Sequence, residues 1–127
     1  MVDSETRAER TRFTDMKFTL PIKPLSINAA FQGRRFKTKA HNQYCRDVAL
    51  LLPKNQKICG YVDVKLTFCL KNWKMTDADN LVKCLIDVIV SAGLIDDDRF
   101  IMRYAIEKKA AKEDSIEVDI TEYQGIK

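Results

Sequence analysis

Tyr61-Val62-Asp63-Val64-Lys65-Leu66-Thr67-Phe68-Cys69-Leu70 is followed, ten residues on, by Asn80-Leu81-Val82-Lys83-Cys84-Leu85-Ile86-Asp87-Val88-Ile89-Val90-Ser91-Ala92-Gly93. In the first segment Val62, Val64, Leu66, Phe68 and Leu70 alternate with Asp63, Lys65 and Thr67, which predicts a strand with one buried face. In the second, Leu81, Cys84, Leu85, Val88 and Ile89 recur at helical spacing, which predicts a helix over 80–92 that Gly93 ends. On the N-terminal side, Met16 to Ile22 alternates and reads as a strand with Pro21 near its exit. A loop over 24–33 and a short basic strand over 34–38 come next. Tyr44, Cys45, Val48, Leu51 and Leu52 then mark a helix over 39–52 that Pro53 stops. On the C-terminal side, 100–107 and 115–123 read as strands, the latter with Ile116, Val118 and Ile120 inward, and Lys108, Lys109 and Lys112 form a basic turn between them. The order β, β, α, β, α, β, β predicts an α+β fold, a small sheet of about four to five strands with two main helices over it.

At 127 residues the chain is expected to form one domain over 15–127, preceded by a flexible arm over 1–14 that has few large apolar groups. A hydrophobic content of 46% with 31% charged residues reads as an ordinary soluble globular protein. The longest apolar run, Leu85 to Ile95, is broken by Asp87, Ser91 and Gly93, so no membrane partner is expected. The polar N-terminus lacks a secretory apolar region, and a cytoplasmic location is expected. Cys45, Cys59, Cys69 and Cys84 form no paired motif and accompany one histidine, His41, which argues against structural zinc. Three of them sit in apolar segments and read as small core residues.

Charge is segregated. The net charge is +4, yet Asp77 to Asp98 holds six aspartates and one lysine, a local −5, so the remainder carries +9. A basic chain with one concentrated acidic patch suits a polyanion binder that keeps a cation site in its middle.

The chemistry lies in Thr76-Asp77-Ala78-Asp79-Asn80-Leu81-Val82-Lys83, then Asp87, then Asp96-Asp97-Asp98. Residues two apart in an extended chain point the same way, so the Asp77 and Asp79 carboxylates are expected to face one point. Asp79 also suits the N-cap of a helix starting at Asn80. A return loop past Gly93 is expected to bring the second acidic run back to the first. Carboxylates that converge repel one another unless a cation lies between them, and oxygen-only donors favour Mg²⁺ or Mn²⁺ over zinc. Such an ion holds phosphate oxygens, acidifies a bound water and stabilises charge on a phosphodiester in transition. Lys83 adds a positive charge near the attacking water or the scissile phosphate. Blander readings stand beside this one: Asp79 as a cap alone, Asp96 to Asp98 as a solvated turn, Lys83 with Asp87 as a surface pair. An EF-hand fails on spacing, because positions five, six and twelve counted from Asp77 are Leu81, Val82 and Val88. A nucleotide-sugar transferase built on a DxD motif needs a longer chain.

The ordered set is more specific than any one acid pair. Asp77-Ala78-Asp79-Asn80-Leu81 with Lys83, then Asp87, Gly93, Asp97-Asp98 and Ile101, resembles the D-x-D-N-L-x-K, helix, D-D signature of the RusA endonucleases, a family of Holliday-junction resolvases. Leu20-Pro21-Ile22-Lys23-Pro24-Leu25-Ser26-Ile27-Asn28 is similar to the family's opening strand, so the likeness covers about residues 16–123. The resemblance implies a RusA-like fold with catalytic Asp77, Asp79, Lys83 and Asp98, and metal ligands Asp77, Asp79 and Asp98 with Asp97 beside them. It also implies Mg²⁺ with Mn²⁺ able to substitute, no small-molecule cofactor, a homodimer, and paired symmetric nicks in four-way or branched DNA during recombination and repair. The chain departs from the pattern in three places. Three acids stand where the family shows two, so Asp96-Asp97 is an alternative register, with Asp97-Asp98 preferred because Ile101 then matches. Ala78 replaces a larger apolar residue, and Met75-Thr76 separate Lys74 from the first acid.

Candidates for phosphate contact are Arg34, Arg35, Lys37 and Lys39, then Lys71 and Lys74 on either side of Trp73, which either stacks on an unpaired base or caps the core. Competing functions are a less selective flap or fork nuclease, a non-catalytic junction-binding protein, and a plain metal-binding protein.

Overall fold

The computed structural model describes residues 11–32 and 36–125. Its centre is the alternating strand quoted above. Strand β6, Val62–Leu70, is flanked by β8, Ser115–Glu122, running antiparallel and by β7, Ile101–Ala110, running parallel. Strand β2, Asp15–Leu20, pairs antiparallel with β8 and completes a four-stranded sheet in the order β2-β8-β6-β7. Val62, Val64, Leu66, Phe68 and Leu70 are all buried, together with Ile116, Val118 and Ile120 of β8 and Met16 and Leu20 of β2. These residues stand opposite one another in the register, so one sheet face is continuously apolar.

Two helices contribute to that core, α2 over Lys39–Leu51 and α3 over Val82–Ser91. The stripe Cys84, Leu85, Val88 and Ile89 is buried, with Ile86 added, while α2 supplies Tyr44 and Val48. Thr38 caps α2 by accepting from the His41 N–H at 3.2 Å, and its own hydroxyl donates to the Ala29 carbonyl at 2.8 Å. Leu51 is half exposed and Leu52 carries the burial, so the inward face of α2 is narrower than the spacing predicts.

Parallel strands cannot be joined by a tight turn; the chain must cross from the end of one to the start of the next. Here α3 makes that crossover between β6 and β7. The connection leaving β6 and the one entering β7 therefore start from opposite ends of the sheet.

Gly93 ends α3. With φ +84° its N–H donates to the Val90 carbonyl at 3.0 Å, and the Leu94 N–H donates to the Ile89 carbonyl at 3.2 Å. This pair of bonds is a Schellman cap, which needs a left-handed residue at Gly93. Leu94 and Ile95 beyond it are buried, and Ile58 bridges to Ile95, so the following acids leave from a fixed point. Gly93→Ala is expected to cost about 1–2 kcal/mol, the penalty of a Cβ in left-handed geometry. Urea titration checks this, with the midpoint falling and the slope unchanged.

Several expectations are revised. Residues 11–13 are tied down: β1, Thr11–Arg12, pairs parallel with β5, Gln56–Lys57, and the Phe13 N–H donates to the Lys57 carbonyl at 2.8 Å. Residues 1–10 of the expected arm lie outside the described residues. The loop over 24–33 contains a single helical turn, α1 over Ile27–Ala30, and β3, Phe31–Gln32, pairs with β4, Phe36–Lys37. Lys108 and Lys109 extend β7 rather than forming a turn, because register with β6 holds as far as Leu70 and Ala110. The second helix begins at Val82 after a 3-10 turn over Ala78–Leu81.

Candidate active site

That 3-10 turn decides where the first two acids point. Asp77 is extended at the turn's N-cap position, whereas Asp79 lies inside the turn. Successive residues of such a turn rotate by about 120°, so positions two apart do not share a side as they do in a strand. The extended geometry on which a shared side for the two carboxylates was expected therefore ends at Asp77. Asp79 is likewise not the cap of α3: Leu81 holds that position without a side-chain cap bond, and the Asn80 N–H donates to the Asp77 carbonyl at 3.2 Å. Both carboxylates are exposed.

The second acidic run divides by role. Asp96 accepts from the Gly60 N–H at 3.0 Å and pairs with the Lys57 ammonium, and these two bonds hold its carboxyl below the usual range. It staples the 57–60 segment to the return loop. Asp97 N-caps a short turn over Asp98–Phe100 by accepting from the Arg99 N–H. The Asp97 and Asp98 carboxyls share a hydrogen bond that lowers Asp97 and raises Asp98 from the ordinary carboxylate value, with the adjacent negative charge lifting Asp98 further. Of the three acids it is Asp98 whose charge acts on Lys83.

Lys83 projects from the first turn of α3 and donates to Asp87 Oδ1 at 3.0 Å. That bond, followed by the charge of Asp87, raises the ammonium pKa, and Asp98 and Tyr104 act in the same direction. Tyr104 belongs to the same neighbourhood. Burial raises its hydroxyl pKa first, and the charge of Asp98 adds to the rise. Tyr104 was not among the sequence candidates; its signal is the alternation Met102, Tyr104, Ile106, which follows Val64 and Leu66 of β6 in register.

The first acids lie farther along β7. The Lys108 ammonium donates to the Thr76 carbonyl at 2.7 Å, toward the strand's far end, and the 3-10 turn carrying Asp79 also lies against β7. Among the described residues no three His, Cys, Asp or Glu side chains stand close enough together to hold one metal ion. The second acidic run is thus not gathered with the first into a three-carboxylate cluster. The donor set still fits a hard cation. Mg²⁺ keeps several waters and is held by one or two carboxylates plus substrate phosphates, and the adjacent carboxylates Asp97 and Asp98, whose mutual interaction raises Asp98, are a pair whose repulsion a cation would relieve.

Lys37, Lys39, Lys71 and Lys74 are exposed, while Arg34 and Arg35 lie outside the described residues. Trp73 stays out of the core, 39% exposed, with the Lys74 ammonium 5.5 Å from its ring centre. All four cysteines are free thiols. Among the described residues no helix is long and apolar enough to cross a membrane.

A family model described as Endodeoxyribonuclease RusA matches residues 21–121 of the chain, from the residue after β2 to the penultimate residue of β8. No curated protein matches it.

Proposed function

The chain belongs to the RusA family of endodeoxyribonucleases, and we propose that it is a Mg²⁺-dependent enzyme that resolves Holliday junctions in branched DNA by paired symmetric nicks. What supports this reading is the match to that family over 101 of the chain's 127 residues, together with the charge of Asp98 acting on Lys83 across the capped return loop. Asp97 and Asp98 would hold the ion together with phosphate oxygens and waters, and Asp77 and Asp79 are the further ligands that membership of the family implies. When bound, Mg²⁺ or Mn²⁺ would supply charge stabilisation at the phosphodiester and a water of lowered pKa.

The chain's own residues orient and neutralise. Lys83 stays protonated, held to Asp87, and presents a positive charge where the phosphate gains negative charge. Water adds to phosphorus, one bridging P–O bond breaks, and the products are a phosphate end and a hydroxyl end. A single domain offers one such centre, whereas two matched cuts require two. A two-fold homodimer supplies them in the symmetry of the junction. Four free thiols suit a reducing cytoplasm.

A synthetic four-way junction incubated with Mg²⁺, with cuts mapped on all four strands, tests the reading. Paired cuts at symmetric positions are expected from a dimer of about twice 14.7 kDa by light scattering. Equal cleavage of flaps, forks and linear duplex would replace it with the less selective nuclease. Binding without product would leave a junction-binding protein.

If Arg34, Arg35, Lys37, Lys71 and Lys74 of both protomers each meet a phosphate, log K should fall against log salt with a slope of about −9. The double variant Lys37→Ala, Lys71→Ala is expected to make that slope shallower by about four without altering where the strands are cut. Filter binding at several salt concentrations reads this directly, and an unchanged slope removes these lysines from the interface.

A further inference from the structure

Beside the turn that carries Asp77 lies a cleft of about 1000 Å³. Asp77 and Asn80 line it, so on the proposed reading an occupant would sit near the phosphodiester to be cut. The opposite wall comes from elements far away in sequence: Pro24 and Leu25 after β2, Asn28 and Ala29 of α1, and Gln43 and Asp47 of α2. Lys23, Lys74 and Lys108 also line it.

Size, polarity and preorganisation point to one kind of occupant. The volume is at the upper end of small-ligand sites and accommodates a nucleotide. Pro24, Leu25 and Met75 offer apolar surface to a planar ring, while Asn28, Asn80 and Asp47 offer donors and acceptors for its edge. Gln43 is fixed before anything binds: Arg46 Nη2 donates to its Oε1 at 2.9 Å, and its Nε2 donates to Asp47 Oδ1 at 2.8 Å. Tyr44, which also lines the cleft, is 5% exposed, and its buried hydroxyl has no hydrogen-bond partner. The lysines supply the charge a sugar-phosphate backbone requires at the same place.

We propose that this cleft is a base-reading subsite, which receives a nucleobase swung out of its stack next to the cut phosphodiester. The proposal rests on the nuclease reading and adds to it the element that chooses where the cut falls. A branch point favours such a step, because unstacking costs least where pairing is already strained.

The test uses the full chain and four-way junctions carrying 2-aminopurine at each position flanking the branch in turn, in the absence of divalent metal. A several-fold rise in fluorescence at one position is expected on binding. Ala29→Phe, which fills the cleft from an exposed position, and Asn28→Ala, which removes an edge contact, should both lose that rise. Both should also flatten the distribution of cuts among junction sequences in Mg²⁺, while junction affinity stays within about threefold of the wild type. Thermal melting of both variants confirms that they fold, and either one suffices if the other does not. Wild-type cleavage with no position brightening refutes the subsite and leaves the nuclease reading intact. Brightening that disappears in the variants, without any product in Mg²⁺, does the reverse. A cleft-filled variant that keeps both the rise and the cut map also refutes the subsite.

Discussion

Asp98→Asn is expected to lower junction cleavage by about 10²–10³, the scale on which loss of one preorganised electrostatic group acts at a reacting centre. Junction affinity should change by less than about threefold, since the carboxylate is exposed and makes no fold contact beyond its own turn. Asp79→Asn should behave in the same way. Asp96→Asn is the discriminating control. Asp96 holds Lys57 and the Gly60 N–H, so its loss should lower stability by up to about 1 kcal/mol while cleavage persists. A variant set in which Asp96→Asn is inactive and Asp98→Asn cuts normally would reverse the assignment. Quenched time courses on a fixed junction, with binding measured separately in metal-free buffer, resolve the two effects.

The largest effect on stability is expected at Phe68. Its side chain is fully buried at the centre of the apolar sheet face. Phe68→Ala removes a ring from a core that relaxes only partly, at a cost of about 3–5 kcal/mol. For a domain of this size that lowers the melting midpoint by roughly 10–15 °C. Lys65→Ala, on the other face of the same strand, should stay within about 0.5 kcal/mol of the parent. Comparable losses at both positions would mean that the strand's two faces are not divided as described.

The sheet and the two long helices were legible because each carries a period long enough to read. Val62 to Leu70 repeats every second residue over a whole strand, and the stripe from Leu81 to Ile89 repeats at helical spacing. The two-residue pairings of β1 with β5 and β3 with β4 have no period to show, and neither does the single turn of α1. The continuation of β7 through Lys108 and Lys109 was hidden for another reason. An edge strand exposed on both faces has no apolar alternation at its end, and lysines there read equally well as a turn.

The candidate site was legible as a set of residues but not as an arrangement. Asp77, Asp79, Lys83 and Asp98 stand out by type and spacing. Their relative positions depend on two things that composition does not carry: whether β7 runs parallel to β6, and whether the chain enters α3 through a 3-10 turn. Tyr104 and the cleft were missed because both are assembled from elements remote in sequence. The division of labour between Asp96 and Asp98 likewise emerges only once Lys57 and Gly60 are seen beside the former.

The sheet face turned away from the helices gives the molecule a back. Across it Lys17 stands opposite Asp119, which stands opposite Lys65, while Asp63 is bonded to Arg103 and Glu117 and Glu107 flank Thr67. With Asp15 and Lys109 included, five acids and four bases alternate there, a mosaic close to neutral that offers a polyanion no purchase. The surplus lysines lie instead around the cleft, at Lys23, Lys74 and Lys108. A nucleic acid approaching the molecule is therefore expected to be turned toward one side before any contact forms, with encounters at the back ending without capture.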